Sequence, residues 1–164
     1  MKNIKRYFFI GIIFVSVLGT LLHFAYDWSG GNDFLGLFVP INESIWEHTK
    51  LLFFPMILYA VFLNRKAREN HPCILSDLIC GALFGVGAII VLFYTYSGIT
   101  GNHFAVVDIL IFYISVLMSF FIVYKRTING KSCNNIFIIL GVAMIFLFII
   151  FTLFPPEIPL FIAP

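Results

Sequence analysis

The sequence predicts an all-α integral membrane protein, a single domain of residues 1–164 with five transmembrane helices. Of the 164 residues, 61% are hydrophobic and only 11% are charged, and the mean hydropathy is +1.02. A soluble globular domain carries about 25% charged residues. This composition excludes a water-soluble fold, and the apolar runs leave no room for an additional soluble domain.

Five segments have the character of membrane-spanning helices. A helix needs about 20 apolar residues to cross a hydrocarbon core of about 30 Å. Four runs meet this requirement without an internal Lys or Arg. The remaining run, "LLFFPMILYAVFL", is shorter and reaches spanning length only if the preceding "SIWEHTK" forms its first turns. The predicted spans cover approximately residues 7–26, 45–63, 74–96, 104–124 and 135–154.

The basic residues predict a cytoplasmic N-terminus and, with five spans, an extracytoplasmic C-terminus. Lys and Arg are enriched in the cytoplasmic loops of membrane proteins. Nine of the ten basic residues fall in alternate loops, and therefore on one side of the predicted membrane: Lys2, Lys5, Arg6, Arg65, Lys66, Arg68, Lys125, Arg126 and Lys131.

The three cysteines are expected to remain reduced under this topology. Cys73 and Cys133 fall in or beside cytoplasmic loops, and Cys80 falls in the cytoplasmic half of the third span. Disulfides are rare in the cytosol. Without C-x-x-C spacing, the three thiols also make a poor zinc site.

Most of the other ionisable residues fall on the outer side, which points to a functional site there. They are His23, Asp27, Asp33, Glu43, Glu47, His48, His103 and Asp108. Residues three, four or seven apart share one face of a helix. Two polar stripes result, with Ser16, Thr20, His23 and Asp27 on the first span and Asp108, Ser115 and Ser119 on the fourth. Ionisable groups in spans are costly and normally face the bundle interior.

The stretch "VPINESIWEHTK" supplies the third side of this site and has an ordinary structural interpretation as well. Ser44 and Glu47 match the S-x-x-E capping box, Asn42 is a competing cap, and Lys50 can extend towards the headgroups. His48 fits a cap less well, because the dipole at a helix N-terminus favours a neutral imidazole. Neutral imidazole is the form that binds metals.

Together these residues suggest a divalent metal site, with zinc as the example. The expected ligands are His23, His48, His103, Asp27 and Asp108, with Glu43 or Glu47 as a general base that activates water. The set contains no known metal-binding signature. A hydrogen-bonded polar cluster or a proton-binding site explains the same residues.

Two linkers are expected to lie over this face. The segment "DWSGGNDFLGLFVP" is expected to dip back along the outer surface as a lid or re-entrant piece, and the Pro-rich tail "FPPEIPLFIAP" could fold back across the same face. Trp28 and Trp46 lie at span ends, as an interfacial aromatic belt or a lid contact would have them.

The segments "HFAYDWSG", "LFVPINESIWEHTKLLFFPM" and "FPPEIPLF" resemble an uncharacterised family of small prokaryotic multi-span membrane proteins. Its most recognisable element is N-E-S-x-W-E-H before the second helix. The resemblance implies a multi-pass protein of the prokaryotic cytoplasmic membrane, a domain of unknown function without an established activity or cofactor.

Three functional classes follow from the sequence. The first is a metal-dependent site, such as that of a hydrolase, closed to the cytoplasm. The second is a small proton-coupled transporter in which Asp108 or His23 carries the proton along the polar stripes. The third is a structural subunit of a membrane complex. The lipid bilayer is the expected partner, a homo-oligomer is compatible with five thin helices, and no basic groove for nucleic acid is present.

Overall fold

The computed structural model describes residues 2–130 and 133–164, so that Lys131, which entered the count of basic residues, lies outside the described residues. Within them the chain forms seven α-helices and no strand. These are α1 (Lys2–Leu22), α2 (Ala25–Trp28), α3 (Asp33–Gly36), α4 (Ile45–Ala67), α5 (Ile74–Thr100), α6 (Ala105–Ile128) and α7 (Asn135–Leu153), followed by a 3₁₀ turn at Pro159–Phe161.

Five of the helices, α1, α4, α5, α6 and α7, are long and apolar enough to cross a membrane. This confirms the predicted all-α bundle. Proline usually interrupts a helix, but Pro55 lies inside α4 without ending it. The short helices α2 and α3 lie in the linker between the first two long helices, and a turn at Gly30 and Gly31, which both adopt positive φ, separates them.

The helix α4 is the centre of the bundle. It packs against α1 and α5, while α6 packs against the same two helices and closes a four-helix arrangement. The helix α7 packs on the outside against α5, and its Phe148 contacts the rings of Trp46 and Phe53 on α4. In the most apolar window of α4, 67% of the residues are buried, against 17% for α7. The outer surfaces of α1, α6 and α7 are therefore apolar and exposed, as expected of surfaces that contact lipid.

Because successive long helices run in opposite directions, their termini fall into two groups, one at each end of the bundle. The end of α1, the start of α4, the end of α5 and the start of α6 meet at one end, which we call the histidine end because His23, His48 and His103 lie there. The opposite end contains Cys73 and Cys133 and is called the disulfide end. All the predicted site residues belong to the histidine end.

Cys73 and Cys133 are joined by a disulfide, and the expectation that the cysteines stay reduced was wrong in the structure. The Cα atoms of the two residues are 4.7 Å apart. Cys73 directly precedes α5, Cys133 lies just before α7, and these two helices run side by side in the same direction. Ser76 also donates a hydrogen bond to the Asn134 carbonyl at 2.9 Å. The expectation rested only on the compartment, whereas helix packing brings the thiols together.

A second link at the disulfide end joins α5 to α6. The carboxylate of Asp77 accepts hydrogen bonds from Arg126 Nε at 2.9 Å and from the Thr127 hydroxyl at 3.1 Å. Asp77 is 2% exposed. A buried carboxylate that is paired and hydrogen-bonded avoids the large cost of an isolated buried charge.

A close approach between α1 and α4 sets the distance between these two helices near the histidine end. Pro55 has no backbone N–H, so the Leu51 carbonyl four residues earlier lacks its usual helical donor. This carbonyl faces Gly19, where a Cβ atom would lie only 2.5 Å from the oxygen. Gly19 is one helical turn before His23, and Leu51 follows His48 by three residues. The approach therefore holds the two histidines close together.

We expect Gly19→Ala to lower the thermal stability of the purified protein in detergent. The new methyl group collides with the Leu51 carbonyl and the Phe112 ring, and such overpacking costs about 1–3 kcal/mol. Gly87→Ala is the matched control, because nothing lies within 4 Å of a Cβ there. Intrinsic tryptophan fluorescence during heating measures both; equal midpoints would contradict the close approach.

The disulfide predicts a specific product in a non-reducing digest. A cross-linked peptide containing Cys73 and Cys133 should be present in the isolated protein and should separate into two peptides after reduction. Mass spectrometry of the digest checks this. Finding the two cysteines only in unlinked peptides, after alkylation at the moment of lysis, would refute the pairing.

Candidate metal site at the histidine end

Three of the predicted site residues, His23, Glu43 and His48, come together at the histidine end. Each offers one ligand atom, and these atoms lie within 4.8 Å of one another. His23 follows the last turn of α1, Glu43 lies in the loop before α4, and His48 lies in the first turns of α4. Among the residues that the structure describes, this is the one group of three or more His, Cys, Asp or Glu side chains with ligand atoms so close.

The imidazole of His48 is held in a defined orientation. Its Nδ1 lies 2.9 Å from the Ser44 carbonyl oxygen, one turn earlier in the chain. A carbonyl only accepts, so Nδ1 carries the proton and donates it. In the neutral ring the lone pair is then on Nε2. Metal-binding histidines generally donate their other ring N–H to a carbonyl or carboxylate in this way.

The helix start that carries His48 is fixed by two caps. Ser44 is the N-cap of α4, and its hydroxyl accepts from the Glu47 N–H at 3.4 Å. Asn42 Oδ1 accepts from the Ser44 N–H at 2.9 Å. The N–H that Glu47 would bond in a complete capping box is therefore taken by Asn42. The loop around Glu43 and the first turn of α4 consequently form one hydrogen-bonded unit.

His23 brings a second imidazole against the first. The two ring centroids are 5.1 Å apart and the planes meet at 49°. The Nδ1 atom of His23 is buried and has no hydrogen-bond partner among the described residues. A buried ring nitrogen without a partner is unusual in a folded protein. It is one of the two ring nitrogens of His23 that could serve as a metal ligand.

Glu43 completes the group from the solvent side. Its carboxylate lies 3.3 Å from His48 Nε2, and its side chain is 70% exposed. Without a metal this contact is an ion pair if the ring is protonated. A tetrahedral zinc ion has ligand atoms about 3.4 Å apart, given bonds of about 2.0–2.1 Å. The ligand atoms of the group lie within 4.8 Å of one another, and the exposed Glu43 side chain has the freedom to move to the spacing that an ion requires.

Glu47 belongs to a different and buried network. Its carboxylate accepts from Lys50 Nζ at 2.6 Å and from the Ile41 N–H at 3.1 Å. The Thr152 hydroxyl of α7 lies 3.2 Å from the carboxylate and 2.7 Å from Lys50 Nζ. Lys50 Nζ also donates to the Gly36 carbonyl at 2.9 Å. All three ammonium protons therefore have acceptors.

Lys50 is the residue of this network whose surroundings the sequence did not predict correctly. It was expected to extend to the headgroups, but its side chain is 0% exposed. The available signal was its position three residues after Glu47, since residues at i and i+3 are neighbours on a helix. Thr152, the partner from α7, had no comparable signal because it is distant in the sequence. The network ties α4, α7 and the linker that carries Glu43.

His103 and Asp108 form a separate pair at the same end. Asp108 Oδ2 lies 3.3 Å from His103 Nδ1. The Tyr96 hydroxyl donates to Asp108 Oδ1 and accepts from the Phe104 N–H. The structure therefore places His103 and Asp108 with Tyr96 of α5 and not in the group of His23, Glu43 and His48.

The remaining predicted site residues lie in different surroundings. Asp27 and Trp28 are exposed on α2, and Trp28 stacks on Phe24 with centroids 5.8 Å apart. Trp46 is 6% exposed and packs against Phe161 of the tail at 5.2 Å. The tail thus folds back on the start of α4.

Two hydroxyls of the polar stripes, those of Thr20 and Ser119, make hydrogen bonds, whereas the buried Ser115 hydroxyl has no partner among the described residues. Thr20 bonds the Ser16 carbonyl and the Tyr113 hydroxyl. The Ser119 hydroxyl donates to the Ser115 carbonyl at 2.8 Å, and both serines are 0% exposed. Ser119 also faces Gly85, which leaves no space there for a Cβ atom. The Thr20–Tyr113 bond joins α1 to α6 and the close approach of Ser119 to Gly85 joins α6 to α5, while the two bonds to carbonyls lie within single helices.

We expect Lys50→Met to destabilise the fold strongly, because it leaves the Glu47 carboxylate buried without its cation. Removing one partner of a buried ion pair costs about 3–5 kcal/mol. The double variant Glu47→Gln/Lys50→Met should recover part of this loss. Reversible unfolding in mixed micelles measures each free energy of unfolding, and additive losses would contradict the pairing.

Comparison with known proteins places the chain in a family. Residues 1–163 match the model of a family of unknown function (DUF6512), and the chain belongs to that family. The search of curated proteins and the search of solved structures gave no match.

Proposed function

We propose that this member of the family is a multi-pass membrane protein that binds a divalent transition metal through His23, Glu43 and His48. The observation that supports the proposal most strongly is the convergence of two imidazoles and one carboxylate, with ligand atoms within 4.8 Å. The carbonyl bond at His48 Nδ1 and the unpartnered His23 Nδ1 are independent features that a metal site explains.

The ligand set favours zinc or a similar ion. Two histidines and one glutamate form a known zinc ligand set that leaves a fourth position for water or substrate. Imidazole and carboxylate ligands also suit other divalent transition metals, whose affinities for such sites follow the Irving–Williams order. The exposure of Glu43 keeps the open position in contact with solvent.

The proposal is limited to metal binding. The hydrolase predicted from the sequence would use Glu43 or Glu47 as the general base that activates a metal-bound water. Glu47, the candidate from the sequence, has both carboxylate oxygens engaged by Lys50, Thr152 and the Ile41 N–H. Glu43, the other candidate, serves as a ligand.

The distribution of basic residues supports an extracytoplasmic location for the site. Lys5 and Arg6 at the start of α1, and Lys125 and Arg126 at the end of α6, lie at the disulfide end. By the positive-inside rule, that end faces the cytoplasm and the histidine end faces outward. The metal would then come from the space outside the cytoplasmic membrane. The Cys73–Cys133 disulfide is a feature that argues against this orientation, because disulfides are rare on the cytoplasmic side.

The proposal predicts that the purified protein holds close to one equivalent of a divalent transition metal. His48→Ala and His23→Ala should each reduce the bound metal to a small fraction, because a site with two remaining ligands binds weakly. Glu43→Gln should reduce it less, since a water can occupy its position. Elemental analysis after gel filtration measures the metal content.

His103→Ala is the matched control, because His103 lies at the same end but outside the group. It should retain the metal. Equal metal content in the His23, His48 and His103 variants would overturn the proposal, as would a wild-type protein that takes up no zinc, cobalt or nickel after exposure to each.

A further inference from the structure

The group of His103, Asp108 and Tyr96 at the histidine end lies beside a cavity that is not part of the metal site. His103 lines a surface cavity of about 440 Å³, largely open to its surroundings, between the end of α5, the start of α4 and the C-terminal tail. This volume lies within the range of about 300–1,000 Å³ that is typical of small-molecule sites. The cavity and its lining are independent of His23, Glu43 and His48.

The orientation of the His103 imidazole is set by Asp108. Its Nδ1 faces the Asp108 carboxylate, which itself accepts a hydrogen bond from the Tyr96 hydroxyl. A carboxylate in this position holds the ring in one orientation and places the neutral ring's lone pair on Nε2. The side chain of His103 is 44% exposed. One ring nitrogen is therefore engaged with the protein, while the other is left for a hydrogen-bond donor in the cavity.

The cavity wall combines apolar surface with neutral polar groups. Phe93 and Tyr94 of α5 and Ile45 of α4 face it from the bundle, and Ser97 and Asn102 lie beside His103. Of the described residues that line it, none is Lys, Arg, Asp or Glu. An anionic headgroup would therefore meet no fixed cation, and the Asp108 carboxylate close to His103 would repel it.

The C-terminal tail forms the opposite wall and is firmly placed. Phe161 is 9% exposed and packs against Trp46 and Phe151, with ring centroids 5.2 and 5.0 Å apart. Ile162, Ala163 and Pro164 then line the cavity. The cavity as a whole lies at the end of the membrane-spanning helices, which is the depth at which a lipid-like molecule has its headgroup.

We propose that this cavity binds a neutral amphiphile with a hydroxyl-bearing headgroup, of the monoacylglycerol type. A headgroup hydroxyl donates to His103 Nε2, Ser97 and Asn102 supply further hydrogen bonds, and the start of the hydrocarbon chain lies against Phe93 and Ile162. Asp108 is a positioning residue that acts through His103. The site is separate from the metal site and does not depend on it.

The test uses a monoacylglycerol with a photoreactive diazirine in its chain, applied to the full-length protein in nanodiscs. Labelling should be saturable and should map to the end of α5 and to residues 159–164. Unlabelled 1-monooleoylglycerol should compete at lower concentration than methyl oleate, which lacks the hydroxyls, and than lysophosphatidic acid, which is anionic. Added zinc should not compete, which separates this site from the metal site.

Variants provide the second arm of the test. His103→Ala and Asp108→Asn should each weaken competition by 1-monooleoylglycerol about three- to tenfold, the effect of one hydrogen bond. Competition by methyl oleate should change little in either variant. His71→Ala, a histidine variant at the disulfide end, should behave as wild type. The wild-type competition series stands even if a variant fails to fold.

Three results would overturn the proposal. The first is labelling that is spread without saturation over the exposed faces of α1, α6 and α7. The second is equal competition by 1-monooleoylglycerol and methyl oleate, and the third is tighter binding of the anionic lipid.

Discussion

The buried ion pair between Glu47 and Lys50 is the interaction on which the histidine end depends. Both side chains are almost completely enclosed, at 3% and 0% exposure. Two enclosed charges are tolerated only when they neutralise each other and their other hydrogen-bonding positions are filled. Thr152 from α7 and backbone groups of the linker fill them. One pair on α4 therefore fixes the position of a second helix and of the linker.

This constraint reaches the proposed metal site through the backbone. The Ile41 N–H is bonded to Glu47, and Lys50 holds the Gly36 carbonyl, so the linker is held on both sides of the turn that leads to Glu43. Gly19 draws α1 towards α4 and sets His23 beside His48. The three ligands thus come from segments whose spacing is set by packing, while Glu43 alone keeps the freedom to adapt to an ion.

Hydrophobic run length was sufficient to predict four of the five long helices, because membrane thickness fixes their length, and the helix α4 was predicted only by adding the polar segment before its apolar run. Alternating direction was sufficient to place every candidate ligand at one end. The partition of these residues into two clusters was not predictable, since it depends on the rotation of each helix and on which helices become neighbours. Pairing of His103 with Asp108 and Tyr96, and burial of Lys50, follow from those rotations. The disulfide likewise requires α5 and α7 to pack side by side in the same direction, and the sequence contains no pattern that predicts which helices become neighbours.

The central claim is that two imidazoles and one carboxylate bind a metal at the histidine end. X-ray absorption spectroscopy of the zinc-loaded protein tests it most directly, because imidazole rings give a characteristic multiple-scattering pattern beyond the first shell. The account predicts two histidine ligands, with oxygen completing a first shell of four at about 2.0–2.1 Å. A spectrum with no imidazole contribution, with three imidazoles, or with sulfur ligands would contradict it.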